Sequence, residues 1–197
     1  MNAAAKDESA APLLDTTPIA DLRYLAAAVV ALLLMVGAIV APSLWLLNFV
    51  HILFGLLWTG IDLFMGFVIG PILRRVSLDA RRQIITRLMP RMLFLMPALS
   101  IVTGTTGWYL AERMGLTAPD YALFPWVIGA LVIVTILTIQ GIGILLPANL
   151  KVFLELRKAE PDIARIGRLM RIYLSTVALQ GVMQVAIIIV MARLRMG

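Results

Sequence analysis

Long apolar runs separated by short polar stretches set the pattern of this chain. Five of them stand out, at about 24–41, 44–73, 88–111, 124–149 and 172–191. Each reaches the length of a membrane-spanning helix, about 17–25 residues. In the bilayer a helix satisfies all its backbone hydrogen bonds within itself, so the expected fold is all-α and integral to the membrane. Spans two to five are expected to form a four-helix bundle, with span one a peripheral N-terminal helix. Residues 1–20 are polar, small and proline-punctuated and predict a disordered tail. Residues 21–197 then make a single multi-pass domain.

Punctuation residues mark the span ends. Pro42-Ser43 predicts a tight turn, with Ser43 capping the second span. Ser77 is placed to cap a helix leading into the third span. Pro97 falls inside that third span and predicts a kink that frees the carbonyl of Leu93. Glu160-Pro161-Asp162 predicts a break between the fourth and fifth spans.

Composition agrees with this pattern and charge orients it. Hydrophobic residues make up 61% of the chain and charged residues 14%, where a soluble domain carries about a quarter. The net charge of +6 does not point to nucleic acid, because the basic residues are not spread as a patch. Six lie in Arg74–Arg91 and six in Lys151–Arg171, both between apolar spans. By the positive-inside rule both loops are cytoplasmic. The expected placement is an inner membrane with the N-terminus inside and the C-terminus outside, although Arg193 and Arg195 run against the rule. There is no cysteine, so disulfides, thiolate metal sites and iron–sulfur clusters are excluded.

Candidate chemistry is carried by the few polar residues inside the spans. His51, the single histidine, and Asp62 are eleven residues apart in span two. That spacing is three helical turns, so both are expected on one face, about 16 Å apart along it. An intramembrane acid is a functional candidate by default, and Asp62 is expected inward-facing, neutral and suited to a proton relay. Gln140, Gln180 and Gln184 fall near its level or a turn beyond, and also suit plain interhelical hydrogen bonding. Thr103, Thr105, Thr106 and Trp108 of span three reach the level of His51. Gly66-x-x-x-Gly70 and Gly104-x-x-Gly107 read as close-packing notches. Met89, Met92 and Met96 recur at helical spacing, as gap-fillers or as a thioether face for copper(I). Trp45, Trp108 and Trp126 at span ends read as interfacial anchors.

His51, Trp58 and Gly60 form H-x6-W-x-G at the start of a span. This resembles a pattern in a loose superfamily of bacterial membrane proteins: the copper-resistance D family, the membrane haem-type protoporphyrinogen oxidases and the membrane domain of urate hydroxylases. The resemblance covers spans two to five, including the Thr-Gly-x-x-Gly-Trp run at Thr103–Trp108, and omits span one. It implies haem b on His51, with Trp58, Gly60 and Thr105 beside it, and a role in membrane redox or electron transfer. A flat cofactor would use room left by Gly55 and Gly60. Two features depart from the pattern: no lysine lies within a span, and His51 stands alone, which excludes a bis-histidine haem within one chain.

Three functions follow as expectations. In the first, His51 ligates haem b while Asp62 and the glutamines move protons, with a membrane redox partner or a second copy of the chain. In the second, a copper-handling permease uses His51 as its outer ligand, with Met65 and Met96 along the route. In the third, the bundle is a non-catalytic membrane subunit. The topology is tested by reporter fusions: reporters in the Arg74–Arg91 and Lys151–Arg171 loops should report cytoplasm, and an external signal from either loop would overturn the orientation.

Overall fold

The computed structural model describes residues 22–158 and 160–196; the tail expected over residues 1–20 lies outside them. Among the described residues there are five helices long and apolar enough to cross a membrane, and no strand. Span one is Leu22–Val40 and span two Leu44–Arg75. Span three belongs to a helix over Leu78–Arg113, span four is Phe124–Leu156 and span five Ile163–Met196. The third and fifth helices therefore start about two and a half to three turns earlier than the apolar runs do. Their first turns are basic, and such residues can continue a helix beyond a hydrocarbon layer because water solvates their heads.

The caps sit where the sequence puts them. Ser43 Oγ accepts from Leu46 N at 3.2 Å and Ser77 Oγ from Ala80 N at 3.3 Å. Asp162 Oδ1 accepts from Arg165 N at 2.8 Å, starting the fifth helix just after Pro161. Pro90 and Pro97 both lie inside the third helix, which continues through them.

Spans two to five form the bundle. Span two packs against both span three and span five, and span five also holds span four. Two apolar cores result. One gathers Leu73, Met89, Val152 and Phe153 toward the end bearing the basic loops, and the other gathers Leu47, Phe54, Val102 and Leu137 toward the opposite end. The notch at Gly66 is a close approach: a Cβ there would stand 3.0 Å from the backbone Cα of Ala178. Gly70 meets the Leu174 side chain in the same seam. Without water to drive helices together, such backbone proximity supplies the dispersion contacts that do so.

Span one lies outside the bundle but is fixed to it, along the seam of spans two and three. Two arginines of the third helix hold its ends. Arg113 donates to the carbonyls of Ala41, at 2.9 Å, and of Ile39, acceptors the helix end leaves free. Arg91 Nε donates to the hydroxyl of Tyr24 at 2.7 Å, with its guanidinium over the same ring.

Spans two and four each contain one wide, π-helical turn, at Phe64–Ile69 and Gly141–Leu145. Gly70 N–H reaches back to Met65 O, and Leu146 N–H to Gly141 O. A proline stands two residues after each, Pro71 and Pro147. Proline lacks an N–H and its ring crowds the carbonyl four residues back. Widening the preceding turn relieves that crowding. The run of apolar residues around each proline gave no sign of this change in pitch.

Candidate functional site

Asp62 sits two residues before the wide turn of span two. It is 1% exposed, and Gln184 Nε2 of span five donates to its Oδ2 at 2.9 Å. Trp58, one turn earlier on span two, is buried on the same face. The inward orientation expected for Asp62 is therefore present, with Gln184 as its partner rather than Gln140 or Gln180. Gln180 Nε2 instead donates at 2.9 Å to Leu137 O, where span four begins to widen. Gln140 is half-buried, and its Oε1 has no hydrogen-bond partner.

Asp62 and Trp58 lie at the floor of a cavity of about 470 Å³ between the helices. Its origin is a splay. The substantial contact of span three with span four is confined to Leu146–Leu156, while Phe124–Gln140 leans on span five. Above the join, the gap is walled by Met92, Met96 and Gly104 of span three and by Leu137, Thr138 and Ile142 of span four. At Gly104 an added Cβ would meet nothing within 4 Å, so its notch is open space rather than a helix contact. Ile101, Trp108 and Ile142 line the cavity and are also exposed on the outer surface, which makes the mouth open sideways at membrane depth.

Two further buried polar residues reach the cavity that hydropathy alone did not mark. Tyr173 is buried beside Asp62, and Asn149 is 4% exposed with its Oδ1 unpartnered. Tyr173, Gln180 and Gln184 are spaced i, i+7, i+11, which is one helix face, so spacing could have grouped them. Asn149 follows the wide turn, which rotates the helix out of the α register and hides its facing from a periodic reading.

His51 is placed elsewhere. Its Nδ1 lies 3.0 Å from Thr103 O of span three. A carbonyl only accepts, so Nδ1 carries the hydrogen and the neutral ring keeps Nε2 bare. The ring packs on Gly107, where a Cβ would come 2.7 Å from His51 Cε1. The threonine hydroxyls turn to their own helix: Thr103 Oγ1 donates to Leu99 O at 2.7 Å and Thr106 Oγ1 to Val102 O at 2.6 Å.

The four residues grouped with a haem by resemblance are therefore dispersed. Trp58 is buried at the cavity and Thr105 lines its wall, whereas His51 is in the seam of spans two and three. Gly60 is exposed on the outer surface, because two residues past Trp58 is about 200° around a helix. Thr105 is likewise about 200° from Thr103. Nor does the face shared by His51 and Asp62 give them a shared neighbour: span three receives one, span five the other. The donor atom of His51 suits haem iron, but the room does not fit a haem within one chain. Gly55 is filled by Thr103 Cγ2, 3.3 Å from where a Cβ would stand.

For copper the donors are also apart. Met92 and Met96 face the cavity, while Met65 and Met89 are packed in the apolar core. Among the described residues no three histidine, cysteine or acidic side chains come together.

The Asp62–Gln184 pair generates a stability test. Asp62→Leu or Gln184→Leu strands a buried polar partner, at a cost of about 1–3 kcal/mol, and should lower the melting temperature in detergent. The double substitution should lose less than the sum of the two, and Asp62→Asn should stay near the parent. Additive losses would mean that the two side chains do not interact. No family model matches this chain, and no curated protein or solved structure does either.

Proposed function

We propose that this multi-pass membrane protein binds a bilayer-dissolved amphiphile, admitted sideways between spans three and four. The apolar part would lie against Met92, Met96 and Ile142, and the polar end against Asp62, Asn149 and Tyr173. The observation that carries this reading is the cavity of about 470 Å³, apolar in its walls, with an acid at its floor. Small-molecule sites are mostly apolar concavities of about 300–1,000 Å³ with a few placed polar groups. In hydrocarbon a polar side chain is retained where it faces protein or a ligand.

Trp58 reports on the buried part of the site, since it lines the cavity and is 7% exposed; Trp108 lines the open mouth at 46%, and Trp45 and Trp126, at 71% and 40%, lie off the cavity. With those three replaced by phenylalanine, a brominated long-chain alcohol should quench Trp58 fluorescence saturably. Gly104→Phe, which fills the mouth, should remove the saturation. Quenching that only follows partition into the micelle would refute a binding cavity.

A second reading is the one implied by the H-x6-W-x-G resemblance, haem b on His51 in a membrane redox system. What favours it is the Nδ1 hydrogen bond to Thr103 O, the arrangement that fixes a ligating histidine with Nε2 presented. Such a haem would lie on the outer side of the seam, shared with a redox subunit or a second copy of the chain. Protein purified from haem-replete cells should then show a Soret band, and His51→Ala should abolish it without loss of insertion. A colourless parent that stays colourless after haem is added would end this reading.

A further inference from the structure

We infer that the amphiphile is a lipophilic organic monocation, bound in exchange for a proton at Asp62; this inference rests on the cavity reading above. Charge decides the class. Asp62 is the acid among the lining residues, and none of the described residues lining the cavity is lysine, arginine or histidine. A phosphate or carboxylate headgroup would therefore sit beside an acid with no positive partner, at a desolvation cost nothing repays.

A hydrated metal cation is disfavoured by charge. Hard cations are held by oxygen cages that commonly include several carboxylates, whereas Asp62 is the single acid among the described residues lining this cavity and the walls are largely apolar. A bulky cation with delocalised charge needs no such cage. It takes one carboxylate, aromatic faces and polarisable walls. The cavity supplies these as Asp62, Trp58, Trp108, Tyr173, Met92 and Met96.

The proton follows from the same accounting of charge. A lone carboxylate in hydrocarbon is costly, so with the cavity empty the acid keeps its proton. The arriving cation supplies the missing charge and the carboxyl proton leaves: carboxylic acid plus cation gives the carboxylate–cation pair plus one proton. The other groups facing Asp62 do not take up that proton, so it is released to the surrounding water. Span five contributes Tyr173, Gln180 and Gln184, span four Asn149, and span three no titratable side chain. Asn149 Oδ1, buried and unpartnered, is one further negative end of a dipole at the same floor.

The test uses radiolabelled tetraphenylphosphonium on the full chain in detergent. The parent should bind it saturably, with affinity rising about tenfold per pH unit while the acid is protonated. Asp62→Glu should retain binding. Asp62→Asn should lose it yet keep the parent's melting temperature in detergent, which shows that the bundle is intact. Saturable quenching by the alcohol with no tetraphenylphosphonium binding by the parent overturns the cation and leaves the cavity reading standing. Saturation by neither probe overturns both. Binding that survives Asp62→Asn, or that does not change with pH, overturns the exchange at Asp62.

Discussion

The bond from Gln184 to Asp62 joins spans two and five across 122 residues of chain. In a layer without water, each polar side chain must find a partner in the protein or in a ligand. Packing alone would let two apolar helices slide, because lipid tails are as apolar as leucine. A donor and an acceptor at one level fix the register, and the glycine notch at Gly66 brings the backbones close enough to seat it. Gln180 repeats the device one turn away, tying span five to Leu137 of span four. Span five is thereby the member that places both of its neighbours.

What remains open follows from what is tied. Spans two and four are each fixed to span five, and span three is fixed to span two by the His51 and Gly107 contact and to span one by Arg91 and Arg113. Near the basic loops, Glu155 gathers Lys158 and Arg165 and also accepts from Asp162 N, closing the link between spans four and five. No comparable tie joins the far halves of spans three and four among the described residues. The wide turn of span four lies at the level of that gap and lines it through Gly141, Ile142 and Leu145. Wide turns are often found at functional sites because they re-aim the side chains that follow.

Asp62 and His51 take opposite parts in this frame. Asp62 is buried, bonded on one side and faces the cavity, so its chemistry has a space to act in. His51 is spent on a helix seam by one nitrogen and packed on glycine by its ring. The threonines opposite it bond their own carbonyls, which leaves the backbone of Thr103 as its partner.

The sequence by itself determined the helical class, the five spans, the caps at Ser43 and Ser77 and the inward placement of Asp62. These depend on local composition and on the price of polarity in hydrocarbon, both visible one residue at a time. Tertiary structure decided which partner each polar group meets. Gln184 rather than Gln140 or Gln180 reaches Asp62, because levels are matched only when two helices cross at a given tilt. It also separated His51 from Trp58, which share a helix face by spacing but meet different surroundings, span three for the one and the cavity for the other. The wide turns before Pro71 and Pro147, the arginine clamps on span one and the gap between spans three and four arise from contacts between distant segments. No periodicity within a single segment encodes them.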